Sequence, residues 1–197
     1  MTTSGADGAA AQSSVRSRGL DHVGLSVPDL DEAVRFFVDV LGAQEFFRHG
    51  PYGPSGEQSV RQFQRHPDSV VTGIAMVRLG DMNIELLQYS SPDQVTRWPG
   101  TSDHGGHHLA FYVDDLDVAV ARLRVEPGVT VLGDPMPLPG PESGPGARFI
   151  FFRAPWGLFL ELVTYPSGKA YEKTMDRRLF DPRSTDDIQR ERGHDPH

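Results

Sequence analysis

The chain contains no cysteine, so neither a disulfide framework nor a thiolate metal site can form. Any metal must therefore sit on nitrogen and oxygen ligands. Basic residues are also scarce: 19 Lys and Arg stand against 27 Asp and Glu, a formal net charge of −8. That balance argues against nucleic acid or an acidic membrane surface as partner, since both call for a basic patch. Long hydrophobic runs are missing too. No stretch approaches the roughly 20 apolar residues that span a bilayer. The opening MTTSGADGAAAQSSVRS lacks the apolar centre of a signal peptide. Together these absences lead to the expectation of a cytoplasmic protein.

What is present is ordinary in amount and informative in arrangement. Of the 197 residues, 38% are hydrophobic, enough for one sizeable core or two small ones sharing an interface. Val23, Leu25 and Val27 alternate with Gly24 and Ser26, a half-buried strand. PDLDEAVRFFVDVLG follows, with Leu30, Ala33, Val34, Phe37, Val38 and Leu41 at helical spacing and Gly42 as the stop. GAQEFFRHG, VRQFQRH, VVTGIAMVRLG and DMNIELLQYSS read as four strands. After a polar connector, HHLAFYV and DDLDVAVARLRVEPG repeat the strand-then-helix order. VTVLG is short and extended, GDPMPLPGPESGPGA reads as a long loop, and ARFIFFRAP and WGLFLELVTYP close the pattern as strands.

That order is a repeat. HVGLSVPDLDEAV (22–34) laid over HLAFYVDDLDVAV (108–120) gives seven identities in thirteen positions. NIELLQY (83–89) matches FLELVTY (159–165) at Glu85/Glu161, Leu86/Leu162 and Tyr89/Tyr165. The fold class expected is α+β, with two βαβββ modules. Residues 1–18 read as a disordered tail, 19–90 as the first module, 91–106 as a linker, 107–166 as the second module and 167–197 as a C-terminal extension.

Strand alternation then sorts the polar residues. His108, Ala110 and Tyr112 share one face, leaving Leu109, Phe111 and Val113 for a covering helix. His22, Gly24 and Ser26 behave alike. Asn83, Glu85 and Leu87 oppose Ile84 and Leu86, and Glu161 lies between Leu160 and Leu162. A carboxylate in such company faces solvent or has a partner, because an unpaired buried charge is very costly. His107 falls on the covered face and His104 in a loop. Two imidazoles and two carboxylates meeting in a curled sheet would suit one divalent ion among Ni, Co, Mn, Fe and Zn.

The phrases DHVGLSVPDLDEAVRFFVDVLG, DMNIELLQY, HHLAFYVDDLDVAVARL and APWGLFLELV resemble the vicinal oxygen chelate superfamily over about residues 20–166. This superfamily includes glyoxalase I, methylmalonyl-CoA epimerase, extradiol dioxygenases, fosfomycin-resistance enzymes and bleomycin-binding proteins. The resemblance implies paired modules curled into a U-shaped sheet around one metal, with helices outside. It puts His22, Glu85, His108 and Glu161 on the four ligand positions. Glyoxalase I-like enzymes carry Glu at the second position, methylmalonyl-CoA epimerase carries Gln, and extradiol dioxygenases leave it out of the ligand set, so Glu85 tilts the reading toward isomerase chemistry. The run GGHHLAFYV is similar to the corresponding epimerase segment. The proline-rich stretch 133–147 and the tail from Gly168 depart from the compact epimerases, so the substrate need not be a CoA thioester. Epimerases of cyclic ketone sugars in secondary metabolism also belong to this wider group.

The resemblance implies a metal-dependent isomerase, epimerase or lyase of a small vicinal-oxygen carbonyl substrate, working through a metal-stabilised enolate. Glu161 or Glu85 would be the catalytic base. Asn83, Tyr112 and Arg148 are the candidate substrate-binding residues. An iron(II) extradiol-type dioxygenase and a non-catalytic drug-binding protein are the alternatives. The superfamily also implies a homodimer, with the modules of one cup contributed either by a single chain or by two.

Overall fold

The computed structural model describes residues 15, 17–53 and 55–183. Most of the tail expected at 1–18, and the end of the extension, lie outside the described residues. Two four-stranded sheets are built on the same plan. In the first, β1 (Val23–Val27), β2 (Gln44–His49), β3 (Val70–Leu79) and β4 (Met82–Ser90) are ordered β1-β4-β3-β2. In the second, β5 (Leu109–Tyr112), β6 (Thr130–Pro137), β7 (Arg148–Arg153) and β8 (Phe159–Thr164) are ordered β5-β8-β7-β6. The first strand of each unit runs parallel to the last, and the other pairings are antiparallel. The fold is thus α+β, with curled mixed sheets and few helices.

Each first strand passes into a helix through the same cap. Helix α1 (Leu30–Arg35, continuing as a wider π turn over Phe36–Val40) starts at Asp29, whose Oδ1 accepts the Glu32 N–H at 2.8 Å. Helix α3 (Leu116–Leu123) starts at Asp115, whose Oδ1 accepts the Val118 N–H at 3.0 Å. The repeated Asp-Leu-Asp is therefore a repeated N-cap followed by a leucine, half-buried at Leu30 and buried at Leu116. Gly42, at φ +80, ends the first helix as its position suggested.

The helices cover one face of each sheet and create one continuous core. Ile84, Leu86, Ala75 and Val77 of the first sheet share it with Leu116, Phe152, Leu158 and Leu160 of the second unit. The bridge between the units is aromatic: Phe36 meets Trp156 edge-on at 5.3 Å between centroids, and Phe37 lies 6.5 Å from the same ring. A smaller cluster of Leu138, Ala147 and Tyr165, with Tyr112, Phe149 and Val163 against it, forms separately.

Two local expectations fail. The segment VRQFQRH is not a strand: its first four residues, Val60 to Phe63, end helix α2 (Glu57–Phe63), and Gln64 caps it. Val60 and Phe63 stand at helical i, i+3 spacing, Gln58 bonds Gln62 at 3.1 Å, and Arg61 pairs with Glu57 at 3.3 Å. Pairs of that kind add to the helix preference of Glu, Gln and Arg. In addition, β6 runs on into the stretch read as loop, with a register break between Leu132 and Met136. Pro135 and Pro137 are tolerated because β6 is an edge strand carrying that irregularity.

Replacing the fully buried Leu86 by Ala should lower the unfolding free energy by about 2–5 kcal/mol, whereas Asp115→Ala, which removes only a cap, should cost about 1 kcal/mol. Urea denaturation of the two variants checks the difference.

Candidate active site

The parallel pairing of first and last strands decides which polar groups meet. Gly24 lies opposite Glu85 in the β1–β4 register, and Ala110 lies opposite Glu161 in the β5–β8 register. Gly24 and Ala110 each follow a histidine by two residues, so the same offset sets an imidazole beside a carboxylate twice. His22 Nε2 is 3.6 Å from Glu85 Oε2, and His108 Nε2 is 3.0 Å from Glu161 Oε2. Both histidines thus present the same ring nitrogen to the carboxylate.

The surroundings of the two pairs differ. The His22 Nδ1 lies 2.7 Å from Asp21 Oδ2, and the Asn83 amide donates to the Asp21 carbonyl at 3.0 Å. Asp21 therefore fixes the ring, with Nε2 turned to Glu85. A carboxylate on the remote nitrogen of a histidine is the usual support for a metal-ligating imidazole. The hydrogen bond to Asp21, with the charge of Glu85 assisting, raises the His22 pKa above its ordinary value. Asp21 was not among the residues singled out from sequence. Its signal was its adjacency to His22, which strand alternation alone discards.

In the second pair the His108 ring stands edge-on to Phe151 at 5.1 Å. Glu161 has a side chain only 12% exposed, against 25% for Glu85. Burial pushes the Glu161 pKa up, and the neighbouring His108 charge opposes this; Glu142 adds to the rise and Lys169 opposes it. A carboxylate shifted in that direction is suited to accepting a proton from carbon.

The four residues do not converge in a single chain: among the described residues no group of three or more His, Asp or Glu could hold a metal ion. Instead there are two half-sites, each with one imidazole and one carboxylate. These donors fit a borderline divalent ion, and the Asp21 support fits a ligating His22. Tyr112 packs against Tyr165 at 4.9 Å between ring centroids, on the face that alternation assigned to it. Arg148 lies elsewhere. It makes a two-pronged pair with Asp117 of α3 at 3.1 and 2.8 Å, on the helix-covered side of β7. His107, expected on the covered face, is exposed ahead of β5, its Nδ1 3.1 Å from the Gly105 carbonyl. It lies two residues ahead of β5, where its ring turns back to the Gly105 carbonyl instead of entering the core. His104 is exposed in its loop.

Comparison with known proteins agrees with this architecture. The chain belongs to the Glyoxalase/Bleomycin resistance protein/Dioxygenase superfamily, whose family model matches residues 21–150. Among its relatives is the 2-epi-5-epi-valiolone epimerase of Actinomyces sp, 41% identical over 186 residues, 92% of this chain and 94% of that one. The mitochondrial methylmalonyl-CoA epimerase of Mus musculus is 35% identical over 107 residues, which cover 53% of this chain and 51% of that one. The crystal structure of a glyoxalase family protein from Bacillus cereus shares the fold, with a TM-score of 0.61 at 24% identity over 78% of this chain and 98% of that one.

In the metal-free protein, NMR titration should show His22 protonating above about 6.5, the unperturbed imidazole value, and Asp21→Asn should bring it down. Because the folded value is the raised one, the stability linked to His22 is fully present below the unfolded value. It is lost as pH rises through the folded value, so the destabilisation of Asp21→Asn should shrink toward alkaline pH.

Proposed function

We propose that the chain is an epimerase of a small cyclic ketone sugar, which inverts a carbon next to the carbonyl by removing and returning a proton. The observation that carries this reading is the duplicated His–Glu pair in which one carboxylate, Glu161, is buried and raised in pKa. Its support is the 41% identity to the 2-epi-5-epi-valiolone epimerase over nearly the whole of both chains. The epimerase relatives favour it over iron-dependent oxygenation and over passive drug binding.

His22, Glu85, His108 and Glu161 would hold one divalent cation, which supplies the Lewis acidity that polarises a carbonyl and acidifies the adjacent C–H. Glu161 takes the proton. It would do so once substrate oxygens had taken its place on the cation, when its desolvation makes the free carboxylate a stronger base than one in water. Inversion requires that a proton return to the opposite face of that carbon, and Glu85 is the second carboxylate the set provides. Asp21 keeps the His22 ring turned, and Asn83 anchors the backbone that carries Asp21.

Two half-sites in one chain suggest that a second copy completes each site. β1 and β5 lie at the outer edges of their sheets, and an open strand edge invites a partner. A two-fold dimer joining the first half-site of one chain to the second half-site of its mate would contain two complete sites.

Glu161→Gln should abolish solvent-deuterium incorporation at the inverted carbon of 2-epi-5-epi-valiolone while leaving the circular dichroism spectrum unchanged; undiminished exchange would sink the mechanism. His22→Ala and His108→Ala should each be inactive. Refolded together in equal amounts, they should recover about a quarter of wild-type activity, because half of the dimers then hold one intact site. No recovery on mixing would place the whole site within one chain.

A further inference from the structure

The two stretches that depart from the compact epimerases, the proline-rich segment and the C-terminal extension, meet in the fold. A 3₁₀ turn at Gly140–Glu142 stands against another at Ala170–Lys173, and the Ala170 N–H donates to the Ser143 carbonyl at 2.7 Å. Lys169 Nζ reaches Glu142 Oε1 at 2.5 Å with a side chain only 13% exposed. The same ammonium lies 4.5 Å from the centre of the Tyr165 ring, and the Arg183 guanidinium lies 4.8 Å from it. Arg183 Nη1 also donates to the Tyr165 carbonyl at 2.7 Å, which ties the extension down.

Tyr165 connects this structure to the second half-site. It continues the alternation of Glu161 and Val163 on one face of β8 and packs on Tyr112, which shares a face of β5 with Ala110 and His108. At about 3.3 Å per residue, Tyr165 lies roughly 13 Å from Glu161 along the chain, and Val163, packed on the Tyr165 cluster, lies between them. Beside Tyr165 is a cavity of about 260 Å³ lined in part by Lys169, Tyr171, Glu172, Arg178 and Asp181. Two cations and two carboxylates balance in this lining, and two aromatic rings carry hydroxyls. Such a surface suits a neutral, hydroxyl-rich ring: charged groups and hydroxyls meet its oxygens, and the rings meet its C–H faces. It offers no excess of positive charge to the phosphates of a coenzyme A ester.

We propose that this wall is the specificity element of the second half-site, and that Lys169, held by Glu142, is a substrate-binding residue that selects a neutral polyhydroxylated ring over an acyl-CoA thioester. The proposal rests on the epimerase reading for its substrate class. The match to the 2-epi-5-epi-valiolone epimerase, which covers 92% of the chain, takes in the start of the extension.

The test combines binding and turnover with 2-epi-5-epi-valiolone and methylmalonyl-CoA as probes. Calorimetric binding is measured on the metal-free protein, and deuterium exchange on the protein loaded with each candidate divalent ion. Lys169→Met keeps the aliphatic stem against Tyr165 and removes the charge. It should weaken binding of the 2-epi-5-epi-valiolone and raise KM roughly tenfold, the usual size of a lost charge-assisted hydrogen bond, with kcat within about twofold. Lys169→Arg should restore part of the loss, and neither variant should gain or lose binding to methylmalonyl-CoA. Equal loss of kcat and melting temperature without a KM effect would reduce Lys169 to a structural pin and overturn the proposal, as would tighter binding of methylmalonyl-CoA than of the valiolone by the wild type. Lys169-dependent valiolone binding without exchange under any metal would uphold the wall and defeat the epimerase reading. Exchange that is indifferent to Lys169 would do the reverse, and a wild type that neither binds nor exchanges the valiolone would defeat both.

Discussion

An imidazole and a carboxylate placed side by side across two parallel strands are the arrangement on which this molecule turns. Parallel pairing of β1 with β4 and of β5 with β8 fixes a constant offset, so a histidine two residues before the paired position meets a glutamate. The helices, caps and core hold that register. A slip by one residue would turn every side chain of the strand to the other face, sending Leu86 or Leu162 to the site and the glutamate into the core. The buried residues on either side of each glutamate, Ile84 and Leu86 or Leu160 and Leu162, therefore do two jobs: they stabilise the sheet and they forbid the slip.

The two pairs are alike in plan and unlike in environment. Asp21 stiffens the first by gripping the far nitrogen of His22, and burial tunes the second by desolvating Glu161. A duplicated unit has thus become asymmetric through residues outside the repeat register, and it is this asymmetry that the proposed mechanism uses. The asymmetry extends to the periphery, where only the second unit is joined by the Lys169–Glu142 pair and the cavity beside Tyr165.

Much of this was legible in the chain. Identical residues at matched strand and helix positions gave the two-unit plan, and period-two alternation put His22, Glu85, His108 and Glu161 on the face away from the helices. Elsewhere the reading failed for local reasons. Val60 and Phe63 fit a helix as well as a strand end, and i, i+4 side-chain pairs favoured the helix. Arg148, expected to bind substrate, is instead paired with Asp117, across 31 residues of chain. His107 stands one residue further from β5 than His108 and bonds back to the Gly105 carbonyl of its own loop.

Sequence by itself determined the fold class and the duplication and supplied the histidines and glutamates proposed as donors, because these follow from short-range periodicity and from which residues exist at all. Tertiary structure alone decided how those donors are grouped. The four expected ligands form two pairs, since the units join through Phe36 and Trp156 in one shared core, while β1 and β5 are left at open edges. It alone also showed that the proline-rich segment and the extension are one structure. Their contact rests on an ion pair and a cation over a ring between residues far apart in the chain, and no periodicity in a sequence records that.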